Sequence, residues 1–190
     1  MSLLKKDLMN VVQQYYDASG ELHVASRPSL ATERLTALWE QWIEERSAWT
    51  ELRRQLKSEL PGHDIGETYS THDGGPRCLI YPPKESRTPT GNWIVVGCIS
   101  LLAPVYFVYG VECDFLEGRL RNDKASFEHP PVEMAFAAQV VARKIEATFG
   151  FSELARDIAA TPVALFAGNM EPPDTTLFHV LFTNAPSRIP

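Results

Sequence analysis

A glycine-rich loop ahead of the predicted sheet carries the densest set of side chains that could do chemistry. Its sequence, GHDIGETYSTHDGG, supplies two His–Asp pairs, His63 with Asp64 and His72 with Asp73, and adds Glu67. Imidazole and carboxylate groups together are typical ligands of a divalent metal ion. The spacing matches no helix-face motif such as H-E-x-x-H, and a flexible loop holds coordination geometry poorly. We therefore expect a solvated loop without a metal or cofactor, and a small metal-dependent hydrolase remains the alternative function.

The nucleophile candidates lie in unfavourable places for catalysis. Cys98 and Ser100 fall inside an apolar segment, where a side chain points into the core or lacks an orienting base. Cys113 stands between Glu112 and Asp114, whose negative charges are expected to raise the pKa of its thiol. The chain contains no G-x-G-x-x-G, G-x-x-x-x-G-K-[ST] or G-x-S-x-G motif. We expect no catalytic residue and no enzymatic activity.

Acidic and aromatic side chains meet on the strand predicted to begin at Pro104. Alternation places Tyr106, Glu112 and Asp114 on one face, together with Val108. Such a face could contact a cationic partner, and a solvated strand end is the alternative. The opposite face is the predicted core face, and it comprises Val105, Phe107, Tyr109, Val111, Cys113 and Phe115.

The longest uncharged run, Trp93 to Val111, determines whether the chain is read as membrane-spanning. Its nineteen residues would be long enough to cross a bilayer. Glycine, serine and proline interrupt the run, and β-branched and aromatic residues dominate it. These features favour two strands that fold back at residues 101–104, since proline belongs at turns and strand starts. We expect a hairpin at the centre of a sheet and no membrane partner.

Helical periodicity dominates the N-terminal third. A first helix is predicted over residues 2–18, with Leu4, Leu8, Val11 and Tyr15 on one face and Gly20 at its end. A second helix is predicted from Pro28 to Leu60, about thirty residues and roughly 45 Å long. It would be the antiparallel partner of the first helix. Trp39 lies off its apolar stripe and could be exposed or could widen the buried face. The stripe consists of Leu35, Leu38, Trp42, Trp49, Leu52 and Leu56.

The remaining elements complete an α+β domain. Residues 116–131 are predicted to be irregular, and Ser152 is predicted to cap a short helix carrying Leu154 and Ile158. The fold class is therefore α+β, with long N-terminal helices and a mostly antiparallel sheet that carries further helices on one face. One domain over residues 1–190 is expected, helical in 1–60 and containing the sheet in 61–190. The other predictions are an edge strand near 67–69, strands at 77–81, 92–101, 104–115, 163–167 and 175–183, and a helix at 132–148.

Composition narrows the classes of function. The formal net charge is −6, so direct binding of nucleic acid, which requires a basic patch, is disfavoured. Three scattered cysteines indicate neither a disulfide framework nor a zinc site, and the first residues do not resemble a secretory signal. His23, His129 and His179 are isolated and are expected to be structural or surface residues. We expect a cytoplasmic protein that is a monomer or a homodimer.

The order of several segments resembles a known family. A Trp49-x-x-Leu52 helix leads to Leu60-Pro61-Gly62, and the strand Trp93–Ser100 follows. The chain then reaches Thr161-Pro162-Val163 and closes with Asp174–Phe178. Over residues 40–185 this layout resembles the small cytoplasmic immunity proteins of bacterial polymorphic-toxin and type VI secretion systems. It looks most like immunity protein family 52.

The resemblance implies a function that needs no active site. Members of this family accompany toxins with a restriction-endonuclease-like domain, so a cognate toxin effector, expected to be a nuclease, is the implied partner. An acidic inhibitor would be attracted to the cationic cleft of a nuclease. The residues expected to contact the toxin lie in the glycine-rich loop and at the strand end, and they are Asp64, Glu67, Tyr69, His72, Asp73, Tyr106, Glu112, Asp114 and Glu117.

Overall fold

The computed structural model describes residues 5–18, 28–128 and 130–190. Its helices and six-stranded sheet confirm the α+β fold class. Leu4, Gly20, His23 and His129, which were assigned roles from the sequence, lie outside the described residues. The helices are α1 Lys5–Val12, α2 Leu30–Glu44, α3 Ser47–Glu59, α4 Val132–Phe149, α5 Arg156–Ala159 and α6 Leu177–Leu181. The strands are β1 Asp64–Thr68, β2 Arg77–Tyr81, β3 Asn92–Ile99, β4 Val105–Leu116, β5 Arg119–Ser126 and β6 Ser152–Glu153.

The sheet is an antiparallel meander in the order β1-β2-β3-β4-β5, and β6 pairs in parallel with the start of β4. The uncharged run forms β3 and β4, so the predicted hairpin is confirmed. Among the described helices, none has the length and apolar character needed to cross a bilayer. At one end of the sheet, called here the Glu117 end, β1 begins, β4 ends and β5 begins. At the other, the Pro104 end, β1 ends and β4 begins.

Both faces of the central strands β2, β3 and β4 are buried, which corrects the expectation that the later helices share one face. Phe107 and Tyr109 of β4 lie in one core with side chains of α1, α2 and α6. Tyr106 and Val108, on the opposite face, lie in a second core with side chains of α3 and α4. The alternation along β4 is as predicted, but its first residues are apolar on both sides. A strand of this kind requires cover on both faces.

The predicted thirty-residue helix is broken into α2 and α3 at Glu45 and Arg46. Trp39 of α2 is fully buried in the core of one sheet face, whereas Trp49 of α3 is buried in the core of the other. A straight helix cannot lie on both faces of a sheet, so the chain turns where it passes the β1 edge. We call this turn the elbow. Of the two possibilities for Trp39, exposure is excluded and a wider buried face is confirmed, since Trp39 lies in the same core as Leu35.

Three further predictions need correction. β5 was expected to be irregular because it is charged, but its backbone pairs with β4 after a tight turn at Glu117 and Gly118, whose φ angles are 52° and 73°. The segment from Ser152 begins with β6 rather than a helix, and α5 starts at Arg156. The predicted strands at 163–167 and 175–183 are replaced by the isolated bridges Pro162–Thr176 and Ala167–Met170 and by α6.

Candidate functional site

The two His–Asp pairs of the glycine-rich loop are separated by β1. His63 and Asp64 lie at the Glu117 end, and His72 and Asp73 follow the Pro104 end of the strand. Five residues in extended conformation, at about 3.3 Å each, place the pairs roughly 15 Å apart along the strand. In the part of the chain that the structure describes, no group of three or more His, Cys, Asp or Glu side chains is arranged to hold a metal ion. The ligand set of the alternative hydrolase is therefore not assembled.

Asp73 is a buried structural residue, which corrects its assignment as a contact for a partner. Its carboxylate accepts hydrogen bonds from the Thr183 hydroxyl at 3.1 Å, and from the backbone and side-chain nitrogens of Asn184 at 3.1 and 3.0 Å. Burial raises the pKa of Asp73, while the Asn184 backbone N–H and Arg77 oppose that shift. The carboxylate therefore ties the end of the chain to the sheet and cannot contact a partner.

Gly75 shows how closely this segment is enclosed. A Cβ atom at Gly75 would lie 1.8 Å from the carbonyl oxygen of Ile99, and one at Gly74 would lie 2.4 Å from the backbone of Leu181. Only glycine permits such close approach of two backbones. Residues 73–75, at the end of the glycine-rich loop, are thus packed between β3 and α6.

Three more of the predicted contact residues have partners within the protein. Tyr106 is buried, and its hydroxyl donates to Glu146 at 2.6 Å, so its assignment to a docking surface is wrong. Glu67 accepts from the Trp49 indole at 2.8 Å and from Arg53 at 2.7 Å. Asp64 pairs with Arg87 at 2.7 Å. The carboxylates of Glu67 and Asp64 remain partly accessible, but their charges are already compensated.

The acidic strand end faces basic residues that the sequence analysis did not place beside it. Glu112 is exposed and lies directly opposite Lys124 of β5, and Asp114 lies opposite Arg121. Asp114 also accepts hydrogen bonds from the Gly91 backbone at 3.1 Å and from the Asn122 side chain at 2.7 Å. Because β5 supplies these cations, the Glu117 end does not present a purely acidic surface.

A groove of about 490 Å³ opens at the Glu117 end. Asp64 of β1 and the turn that contains Glu117 lie at this same end of the sheet. The sequence did not predict that they would be close together. Arg87 stacks on the Phe115 ring at 4.9 Å, and it donates to Asp64 and to the Pro82 carbonyl. The remaining lining residues are Tyr81, Gly118, Arg119, Leu120, Ile189 and Pro190.

The candidate nucleophiles are buried. The thiol of Cys98 is fully buried, and burial raises its pKa well above the ordinary value. Burial and, secondarily, Asp114 raise the pKa of Cys113 to about 11. Ser100 is 2% exposed, and its hydroxyl accepts from the Leu102 backbone N–H at 3.1 Å. These three side chains stabilise the hairpin rather than facing a substrate.

Exposed apolar and charged side chains lie together at the elbow. Tyr69 is 42% exposed, and its ring packs 5.8 Å from the rings of Trp39 and Trp42. Ile43 is also 42% exposed. His72, another predicted contact residue, is exposed in the turn after Tyr69. We define the elbow surface as Glu40, Trp42, Ile43, Glu44, Glu45 and Tyr69.

The three glutamates of the elbow surface are exposed, and none of their carboxylates forms an ion pair with a residue in the described ranges. Glu40, Ile43 and Glu44 share one side of α2 because positions three and four apart are neighbours on a helix. Sequence analysis identified Tyr69 but missed the glutamates. The available signal was the segment EQWIEE, in which three carboxylates flank Trp42 and Ile43.

The start of α6 depends on the protonation state of His179. The backbone N–H of Thr176 donates to Nδ1 of His179 at 3.1 Å, so the neutral ring carries its proton on Nε2. This contact forms one half of a capping box between the two residues. Burial lowers the pKa of His179 below its ordinary value of 6.5. A protonated ring would place two donors against each other and open the cap.

Stability is therefore expected to fall in acid through His179. Since its pKa is lower in the folded state, the unfolded chain takes up the proton first, and the stabilisation is lost as pH falls below about 6.5. His179→Gln retains a side-chain acceptor at the same helix position but does not titrate there. Thermal unfolding of both proteins between about pH 7.5 and 5.5 should show a steeper decline for the unsubstituted protein. Parallel curves would contradict the assignment.

No protein-family model matches the chain, and no curated protein or solved structure shows significant similarity to it.

Proposed function

We propose that this protein is an immunity protein, which binds a cognate bacterial toxin effector in the cytoplasm and neutralises it by direct contact. The elbow surface is the proposed contact region. The resemblance described above supports the choice of a toxin, and it makes a nuclease with a restriction-endonuclease-like domain the expected partner. The observation that carries the binding function is the elbow surface, where carboxylates without an ion-pair partner among the described residues surround exposed apolar side chains.

This combination matches what protein interfaces use. Aromatic and aliphatic anchors that become desolvated supply most of the affinity, and charges around them orient the partner and accelerate association. Ile43 and Tyr69 would be the anchors, and Tyr69 is held in place by the Trp42 ring beneath it. Glu40, Glu44 and Glu45 would attract the lysine and arginine side chains that hold phosphates in a nuclease cleft.

Inhibition would follow from occupying that cleft. Carboxylates spaced along one helix surface can pair with the same cations that a nuclease uses for the nucleic-acid backbone. The other acidic side chains considered are less suitable, since Asp73 is buried and Glu67 is already paired with Arg53. A partner that approaches the elbow meets three carboxylates that form no ion pair with a described residue, and one guanidinium, that of Arg46, which follows Glu45 in the chain.

The direct test is co-expression with the toxin encoded beside the gene for this protein. An immunity protein restores the growth of cells that produce that toxin, and it co-purifies with the toxin domain. Failure to rescue growth, together with no measurable binding to the purified domain, would refute the proposed function.

Removing the elbow charges is expected to slow association. The variant with Glu40→Gln, Glu44→Gln and Glu45→Gln should bind the purified toxin domain at least tenfold more slowly in low salt, and most of the salt dependence of the association rate should disappear. Stopped-flow or surface-based kinetics at several salt concentrations would measure both effects.

A matched control removes the same number of charges elsewhere. Glu85, Asp123 and Asp174 are exposed and lie outside the elbow surface. Their triple replacement by Gln, Asn and Asn makes the same change in net charge, so it should alter the association rate far less. Equal effects in the two variants would show that net charge, rather than the elbow surface, directs binding.

A further inference from the structure

A second, smaller cavity lies on the sheet face opposite α4. Its volume is about 140 Å³, and it lies among β4, α5, and the start of α6. We call it the aromatic pocket. Its lining residues are Phe107, Phe127, Arg156, Ala159, Ala160, Thr176, Phe178 and His179.

Three phenylalanine rings shape the aromatic pocket. Phe178 meets Phe127 edge to face with ring centroids 4.6 Å apart, and it meets Phe107 in the same manner at 5.4 Å. Phe107 and Phe178 are buried, whereas Phe127 is 38% exposed and so reaches the surface. Aromatic rings favour this offset or edge-to-face packing, and an additional ring can continue the pattern.

The polar groups of the lining are already occupied or neutral. The Arg156 guanidinium lies 4.9 Å from the Phe107 ring centroid and donates to the backbone carbonyls of Phe127 and Val108. His179 accepts from the Thr176 backbone through Nδ1. Arg156 forms no ion pair with a described carboxylate, so its positive charge would repel a cation. Its bonded N–H groups face two backbone carbonyls, and an anion would have to lose its hydration among three phenylalanine rings. The pocket therefore favours an uncharged ligand.

We propose that the aromatic pocket binds a small molecule with a single uncharged aromatic ring. Cavities of about 150 Å³ that are lined by apolar side chains accept benzene. The present volume thus fits one six-membered ring with at most a small substituent. Nε2 of His179 carries a proton and makes no hydrogen bond to another described residue, so a ring with a hydroxyl group could gain one contact at the lining. This site is independent of toxin binding, because no residue of the elbow surface lines it.

Phenol is the probe that tests this proposal. Titration of the full chain, followed by two-dimensional amide NMR, should give saturable shifts centred on Ala159, Ala160 and Thr176. Benzoate, which has the same ring and a negative charge, should bind at least tenfold more weakly. Shifts that do not saturate, or that spread evenly over the surface, would overturn the proposal.

Filling the cavity provides the matched variant. Ala160 lines the pocket, whereas Ala155 is exposed, lies in the same short segment and does not line it. Ala160→Phe should weaken phenol binding at least tenfold, and Ala155→Phe should leave it unchanged. If Ala160→Phe does not fold, Phe127→Ala tests the same point, since it removes the exposed ring of the wall and should also weaken binding. Unchanged affinity in a folded variant would refute the site.

Discussion

Replacing Asp73 with alanine is expected to lower the free energy of unfolding by about 3–5 kcal/mol. The carboxylate accepts three hydrogen bonds from Thr183 and Asn184 and lies near Arg77, which is 4% exposed. Its removal leaves buried donors without an acceptor and a buried cation without its nearby negative charge. Leaving a buried donor without an acceptor costs more free energy than a satisfied hydrogen bond contributes to stability.

Replacing Asp73 with asparagine separates the contribution of its hydrogen bonds from that of its negative charge. Asp73→Asn can still accept from Asn184 through its amide oxygen, and its amide nitrogen can donate to the Thr183 hydroxyl. The charge attraction to Arg77 is lost, so we expect roughly half of the alanine effect. Urea unfolding of Asp73→Ala, Asp73→Asn and His72→Ala would measure these losses in the free energy of unfolding. His72 is the exposed neighbour of Asp73, so His72→Ala should be within about 0.5 kcal/mol of the unsubstituted protein. A loss below about 1 kcal/mol for Asp73→Ala would contradict the buried network.

The strands at the centre of the fold could be predicted because their signal is local. Arg77–Tyr81 forms β2 with the predicted bounds, and β3 and β4 agree with their predictions to within two residues at each end. The absence of charge, β-branching and a proline at the turn are sufficient to identify such a hairpin. The charged strand β5 has no apolar signal, and its pairing comes from the preceding turn and the open edge of β4.

The elbow could not be predicted because its cause is tertiary. Nothing in residues 40–50 requires a helix to end, since no proline or glycine occurs there. The break follows from the positions of Trp39 and Trp49 in cores on opposite faces of the sheet. The heptad spacing that joined Trp42 to Trp49 was real, but it belonged to two helices.

The placement of Asp73 and Tyr106 on a contact surface failed for the same physical reason. Asp73 and His72 are adjacent and equally polar, yet one is buried and the other exposed. The difference comes from residues 183 and 184, which lie more than one hundred positions away along the chain. Tyr69 was correctly expected to be accessible, because it follows a short edge strand. Contacts with residues distant in the sequence therefore decide which polar side chains of a loop are buried. A local sequence pattern does not show those contacts.

The elbow links the fold to the proposed function. By passing from one sheet face to the other, the chain exposes the last turn of α2 instead of burying it in either core. Trp42 packs against both cores there, and Tyr69 packs on Trp42, so the exposed Ile43 and Tyr69 lie beside a side chain that is fixed by the core. Binding surfaces that are ordered before association lose less conformational entropy when a partner binds.

Trp39→Ala is the other substitution with a large expected effect. It should lower the free energy of unfolding by about 3–5 kcal/mol. The side chain is fully buried, and its indole N–H donates to the backbone carbonyl of Asp73 at 2.8 Å. Alanine would leave a large cavity and an unsatisfied carbonyl oxygen. Trp39→Phe fills most of the cavity but cannot donate, so it should cost about 1–2 kcal/mol. Denaturant unfolding followed by far-ultraviolet circular dichroism would rank the three proteins.

The comparison with Ile43→Ala makes this result informative about the elbow itself. Ile43 lies one helical turn from Trp39 and is 42% exposed, so its truncation should cost less than about 1 kcal/mol. Because the two positions are neighbours on one face of α2, a large difference requires the core contact of that face to end between Trp39 and Ile43, as the elbow surface requires. Similar costs for both substitutions would mean that the core contact extends along α2 as far as Ile43. The proposed contact surface would then have to be abandoned together with the helix placement.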